Sequence, residues 1–160
     1  MSKEIIFKQT CLIRKNTPEL REKLSDLGYK IAPHQYFEER KRGILCRPAL
    51  AVGVPDDCTD FNLDEYLKNN PQIIDCGKNE DLFLAIAALR DDSDIHQWFK
   101  SNLVNEFIKC DYDEFHLFTF NPLDALDHND LSIYYHKATI KELIDHFKKK
   151  NRYVYISMFY

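Results

Sequence analysis

An unbroken apolar run extends from Leu82 to Leu89 in a chain whose residues are 30% charged. Its Leu and Ala residues favour a helix, and Asn79, just before it, is a good N-cap. Two acidic residues then fall in the first helical turn, where carboxylates complement the helix dipole. A helix that is apolar on every side has to be buried, and this one is too short to cross a bilayer. The run therefore predicts a central buried helix over residues 79–90.

Capping residues followed by apolar residues at helical spacing predict three further helices. Thr17 precedes Pro18 and an apolar stripe, Asn62 opens a short helix, and Thr139 opens the last main helix. Stretches rich in aliphatic and aromatic residues predict strands, at 4–15, 29–32, 44–46, 49–54, 72–76, 95–100, 105–110, 114–120, 131–136 and 153–158. Of these, 95–100 also fits a helical turn. The expected fold is a single α/β or α+β domain, 1–160, with a mixed β-sheet, three main helices and one short helix.

The composition excludes several classes of protein. The formal net charge of -4 argues against attraction to nucleic acid or to an anionic membrane surface. No segment is long enough to span a membrane, and no signal peptide precedes the fold, so we expect a cytoplasmic protein. The five cysteines are scattered and form no CxxC pair, which favours reduced thiols over a disulfide framework or a zinc site.

Four segments carry a resemblance to a known group of proteins: NTPELREKL at 16–24, DCGKNEDLFLAIAALRDD at 75–92, QWF at 97–99 and HKATIKELI at 136–144. With these segments the chain resembles small uncharacterised proteins from phages and mobile elements of gut Bacteroides-type bacteria. The resemblance implies a phage or phage-derived origin and a bacterial cytoplasm, a setting in which counter-defence is one expected role. It implies no activity and no functional residues.

The three main helices are each preceded by a turn that carries cations beside a capping residue. Turns of this kind gather at the carboxyl ends of parallel strands, where ligands usually bind, and helix N-termini offer N–H groups to anions. If strands 10–15, 72–76 and 131–136 run parallel, the three turns share one crevice that suits a nucleotide or another phosphate. The candidate ligand-binding residues are Arg14, Lys15, Thr17, Lys78, Asn79, His136, Lys137 and Thr139.

A simpler reading of the same turns is that their polar residues only cap their own helices. The acidic residues of each first turn already complement the helix dipoles. No Gly-rich phosphate-binding loop is present. This structural reading is favoured over the ligand site.

The segment 153–160 is apolar up to its last residue, whereas chain ends are usually polar and frayed. Such a segment has to be buried, either in its own sheet as a core strand or against a partner. Burial against a partner predicts a homo-oligomer, with a twofold dimer as the commonest form. Its candidate interface residues are Tyr155, Phe159 and Tyr160.

Three other groups of residues are weaker candidates. The acid and histidine cluster Asp124, Asp127, His128 and Asp130 lacks the residue order of a calcium loop, so an exposed acidic loop is favoured. The aromatic and basic segment 36–42 is interrupted by two glutamates, which favours a solvated loop over a base-stacking surface. No sequence signature of a nucleophile is present, and we predict no metal ion and no cofactor.

These observations predict a non-catalytic cytoplasmic accessory protein that binds a host protein or associates with itself. The alternative is a protein that binds or sequesters a nucleotide or another anion at the strand-to-helix turns. A small hydrolase is the third possibility.

Overall fold

The computed structural model describes residues 7–31, 43–54, 62–90, 93–110 and 134–157. Within them the chain forms four helices and two β-sheets, which are distributed over two compact units, residues 1–89 and 90–160. The fold class is therefore α+β, one of the two predicted classes, and the predicted number of helices is confirmed for these residues. The single domain over 1–160 stays a prediction.

The first unit contains a five-stranded mixed sheet and three helices. Its elements are β1 Cys11–Ile13, α1 Pro18–Asp26, β2 Lys30–Ile31, β3 Gly43–Arg47, β4 Leu50–Val54, α2 Leu63–Asn69, β5 Ile74–Asp75 and α3 Glu80–Ala87. The strand order is β2-β4-β3-β1-β5. The β1–β5 and β2–β4 pairs are parallel, whereas β1–β3 and β3–β4 are antiparallel.

Helices cover both faces of this sheet. Leu12 and Leu45 are neighbours in the β1–β3 register and pack with Leu63 and Leu67 of α2. Because successive side chains of a strand point to opposite faces, Cys11 faces away from α2. Its sulfur lies 4.0 Å from the carbonyl oxygen of Phe83 in α3, so α3 covers the second face.

The local predictions in this unit hold well. The side chains of Thr17, Asn62 and Asn79 accept hydrogen bonds from the backbone N–H three residues later, at 3.2, 3.1 and 3.1 Å. All three residues are therefore N-caps, as predicted. The central helix α3 is buried at Leu82, Phe83, Ala85, Ile86 and Ala87, although it ends earlier than the predicted 79–90.

The second unit contains a three-stranded antiparallel sheet and one helix. Its elements are β6 Trp98–Ser101, β7 Phe107–Lys109, β8 Tyr135–Lys137 and α4 Ile140–Ser157, with strand order β7-β6-β8. Helix α4 packs on the sheet through aromatic rings: Trp98 meets Phe147 edge-on at 5.3 Å between centroids, and Phe107 stacks on His146 at 4.1 Å. Of the two readings for 95–100, the structure shows the strand from Trp98 onward.

Three of the predictions about strands and sheets are wrong. The predicted strand at 153–158 is helical up to Ser157, because no Gly or Pro interrupts the chain after Thr139 and adding residues to an existing helix is favourable. Of the predicted long strand over 4–15, only β1, Cys11–Ile13, is a strand among the described residues. The expected single sheet is two sheets, since β8 pairs with β6, and a strand sequence does not specify its partner.

Some predictions fall outside the described residues. The predicted strand 114–120 is one of them, as are residues 4–6 of the first strand and 131–133 of the ninth. In the part of the chain that the structure describes, no helix combines the length and apolar character needed to span a bilayer.

Candidate functional site

Two of the three predicted turns lie on one rim of the first sheet. Strands β1 and β5 are parallel neighbours, with Cys11 beside Ile74 and Leu12 beside Asp75. The turns that follow them lead into α1 and α3, and the backbone N–H of Arg14 donates to the carbonyl of Gly77. The helix N-termini of α1 and α3 are therefore approached from adjacent strand ends, as the ligand-site hypothesis requires for these two turns.

Two of the cations on this rim, Arg14 and Lys15, already have carboxylate partners. Arg14 Nη2 lies 2.9 Å from Asp75 Oδ2 and 3.0 Å from Asp64 Oδ1, and Lys15 Nζ lies 3.3 Å from Glu80 Oε2. Lys78, in the second turn, is exposed. The acidic partners offset the positive potential that an anion would need at this rim.

The ion pair between Arg14 and Asp75 also shifts the pKa values of both side chains. Burial alone would raise the pKa of Asp75, but hydrogen bonds from the Arg14 guanidinium and the Gly77 N–H outweigh it and lower that pKa. The hydrogen bond to Asp75 in turn raises the pKa of Arg14. Both groups are therefore charged at neutral pH and hold each other in place.

The third predicted turn belongs to the other sheet. Strand β8 is antiparallel to β6 in the second unit, so the hypothesis that all three turns follow parallel strands of one sheet is wrong. In this turn Thr139, predicted to open the helix, forms a capping box with Glu142. Glu142 N donates to Thr139 Oγ1 at 3.2 Å, and Thr139 N donates to Glu142 Oε1 at 3.0 Å. That the candidate residues contact a ligand stays a prediction.

His136, in β8, lies at the centre of a polar network. Its Nε2 is 2.9 and 3.0 Å from the two carboxylate oxygens of Glu142, and its Nδ1 is 2.6 Å from Asn102 Oδ1. Lys100 Nζ approaches the same carboxylate at 3.7 Å. Burial acts to raise the pKa of Glu142, but the hydrogen bonds from Thr139 and His136 lower it overall. Glu142 is therefore a carboxylate that links α4 to β8 and β6.

A second polar group in this unit is buried. Asp94 has no solvent-exposed surface, and its Oδ1 lies 3.2 Å from Lys137 Nζ. Gln97 is equally buried, and its side-chain amide donates to the carbonyls of Arg90, at 2.8 Å, and Ser93. His96, one of the two residues between them, has a left-handed backbone with φ of 64°, which is uncommon outside glycine. Lys137 is thus committed to an internal carboxylate that sequence reasoning did not identify.

The large hydrophobic side chains that are exposed in the described residues all lie at one end of the second sheet. Leu103, Val104 and Tyr134 are 75%, 59% and 47% exposed. The two aliphatic residues belong to the hairpin tip, which we define as residues 102–106 between β6 and β7. The backbone N–H of Asn102 donates to the Tyr134 carbonyl at 2.7 Å, so Tyr134 adjoins the tip.

The hairpin tip is held by hydrogen bonds to Ser101, the last residue of β6. Ser101 Oγ accepts from the N–H groups of Leu103 and Val104, both at 3.1 Å. Sequence reasoning missed this surface. Its signal is the Asn-Leu-Val-Asn sequence at 102–105, where two aliphatic side chains stand between asparagines that favour a turn.

The side chains of the remaining predicted site residues lie outside the described part of the structure. Residue 155 lies within α4, but its side chain lies outside the described part of the structure, as do Phe159, Tyr160, the acidic cluster at 124–130 and the segment 36–42. Cys11, Cys46, Cys76 and Cys110 are buried and form no disulfide. Among the described residues, no cluster of His, Cys, Asp or Glu is arranged to hold a metal ion.

The fold and these contacts define a small α+β protein whose second unit carries an exposed apolar hairpin tip beside a histidine network. No family model, no curated protein and no solved structure matches the chain. Its function is therefore inferred from the geometry of the described residues.

Proposed function

We propose that the chain is a non-catalytic accessory protein that binds a partner protein through the apolar end of its second unit. The surface consists of Leu103, Val104 and Tyr134. The partner is a protein of the bacterial host cell or a second copy of the chain, in keeping with the phage-derived, cytoplasmic setting that the resemblance implies.

One observation supports this function: the exposed large hydrophobic side chains of the described residues are gathered at one end of one sheet. Single exposed hydrophobic residues are normal on protein surfaces, whereas grouped ones indicate an interaction site. Leu103 and Val104 are adjacent in a tip whose backbone Ser101 holds in place. A tip that is ordered before binding loses little entropy on association, which favours recognition by a protein surface.

Light scattering and affinity capture test this function with two variants. The test variant is Leu103→Ser plus Val104→Ser, and the control is Glu106→Gln, an exposed change in the same tip. If the partner is a second copy, wild type and control have twice the chain mass of 19.0 kDa, and the test variant has the single mass. If the partner is a host protein, wild type and control capture it and the test variant does not. The proposal is contradicted if wild type, control and test variant are all monomers and all capture the same host proteins.

An anion site on the rim of β1 and β5 is the alternative function. The parallel register of these strands favours it, because two helix N-termini then lie on one rim. The ion pairs of Arg14 and Lys15 with carboxylates weaken it. A thermal-shift titration with inorganic phosphate, compared between wild type and Lys15→Ala, tests it. Stabilisation of about 2.7 kcal/mol is expected at a hundredfold excess over the dissociation constant, and the variant should lose it.

A further inference from the structure

The histidine network joins the hairpin tip to the start of helix α4. Asn102 is the first residue of the tip, and its side-chain oxygen contacts His136 Nδ1 at 2.6 Å. The other ring nitrogen contacts both carboxylate oxygens of Glu142, at 2.9 and 3.0 Å. The ring of His136 is therefore the bridge between the tip and the first turn of α4.

The number of protons on this ring decides how many of these contacts are hydrogen bonds. A neutral imidazole donates from one ring nitrogen, whereas a protonated imidazolium donates from both. Both ring nitrogens of His136 face oxygen atoms, and the Glu142 carboxylate can only accept. The protonated ring satisfies both contacts at once. The neutral ring keeps the stronger bond to the charged Glu142, and its unprotonated Nδ1 no longer donates to Asn102 Oδ1. The ring then holds Asn102 only if the amide turns its NH2 group towards Nδ1.

We propose that His136 is a proton-controlled latch that holds the hairpin tip when its ring is protonated and releases it when the ring is neutral. The tip carries Leu103 and Val104, so the latch regulates the order of the partner surface. This regulatory role rests on the proposed function, whereas the latch itself does not.

Charged groups around the ring come from the neighbouring elements. From α4, Glu142 favours the protonated ring. From β6, Lys100 opposes it, since Lys100 lies opposite His136 in the strand register and its Nζ is 3.7 Å from Glu142 Oε2. The next cation on β8, Lys137, is paired with Asp94. The Glu142 carboxylate contacts both the His136 ring and Lys100. A group that favours the protonated ring and a group that opposes it therefore both lie close to the ring.

Amide hydrogen exchange, corrected for the intrinsic effect of pH, tests the latch. Exchange at the Leu103 and Val104 amides is measured by NMR at about pH 5.5 and about pH 8, on either side of the range in which histidine titrates. Protection in wild type should fall by about fivefold from acid to base, the size of one net hydrogen bond. The ring-nitrogen signals of His136 should show two protonated nitrogens at the acidic pH.

Two variants and one control separate the latch from a general effect of pH. His136→Gln and Asn102→Ala each remove one half of the bridge, so protection of the tip should no longer depend on pH in either. Asn102→Ala serves the test even if the histidine variant fails to fold. The control His96→Asn should keep the wild-type behaviour, since asparagine tolerates the left-handed backbone at this position.

The possible outcomes all bear on the proposal. A fall in protection of about fivefold from acid to base that is lost in both test variants supports the latch. The same fall in Asn102→Ala, or no fall in wild type, overturns it. None of these measurements needs a partner. If the latch works but Leu103→Ser plus Val104→Ser leaves partner binding unchanged, only the proposed function is contradicted. If that double variant abolishes binding but the tip shows no pH-dependent protection, only the latch is contradicted.

Discussion

Arg14 and Asp75 are joined across the parallel strands β1 and β5, with Arg14 Nη2 at 2.9 Å and Arg14 Nε at 3.4 Å from the two carboxylate oxygens. The two-pronged contact fits the planar guanidinium. The guanidinium that the ligand-site hypothesis assigned to an anion is therefore paired with a carboxylate of the chain itself, and the pair joins the ends of β1 and β5.

A double-mutant cycle should measure this ion pair. Arg14→Gln and Asp75→Asn are expected to show a coupling of about 0.2–1 kcal/mol at neutral pH, because both side chains are partly exposed to solvent. The pKa of Asp75 is lowered from its ordinary value of 3.8. Its contribution is therefore present above that value and is lost as the pH falls through the lower, folded-state pKa. A coupling that persists unchanged in acid would contradict this account.

Truncation of the central helix should cause a large loss of stability. Phe83 and Ile86 have no exposed surface, so Phe83→Ala and Ile86→Ala should each lower the free energy of unfolding by about 2–5 kcal/mol. Leu84→Ala is the matched control, because Leu84 is only half-buried and its truncation should cost less. Urea unfolding measures all three. Losses below about 1 kcal/mol for both buried positions would mean that α3 is not central.

The buried pair of Asp94 and Lys137 should respond unequally to the loss of either partner. Lys137→Met removes the cation from a carboxylate with no exposed surface and should cost about 3–5 kcal/mol. Asp94→Asn should cost less, because the side chain of Lys137 is 30% exposed and its ammonium can turn towards water. Unfolding by urea at neutral pH compares the two. Equal losses would argue against the importance of the buried charge.

The capping box of α4 should contribute measurably to stability. Thr139→Ala removes the acceptor of the Glu142 N–H and should lower the free energy of unfolding by about 0.5–2 kcal/mol. Lys141→Ala is the control, since Lys141 is exposed in the same turn. Thermal unfolding of both variants beside wild type gives the comparison, and equal midpoints for all three would rule out the contribution.

The elements that could be predicted from the sequence are those set by nearby residues. Asn79 and the apolar run after it specify α3, because a cap and a buried helix face are properties of a few consecutive residues. Strand partners depend on residues far apart in the chain, so nothing near residues 135–137 indicates that β8 pairs with β6. At the end of α4, aromatic and β-branched residues suggested a strand, but the helix already formed from Ile140 continues through them.

The cations of the candidate anion site could be predicted from the sequence, but their carboxylate partners could not. Arg14 and Lys15 are visible before the first helix, whereas the carboxylates of Asp64 and Asp75 that bind Arg14 are 50 and 61 residues away. Because of this distant pairing, cations that the sequence suggested for an anion site have carboxylate partners within the chain. The hairpin tip was missed because exposure of Leu103 depends on the packing of the whole unit.

The position of β1 in its sheet has a consequence for the order of folding on the ribosome. This strand is near the start of the chain, yet its two neighbours are β3 and β5, so its second edge stays open until Asp75 has emerged. Domains fold as units during synthesis, and an open strand edge is a site for wrong pairing. The first unit therefore depends on the late arrival of a two-residue strand, β5, which completes the sheet at its edge. The turn after β5 leads into α3, the helix that covers the second face of the sheet.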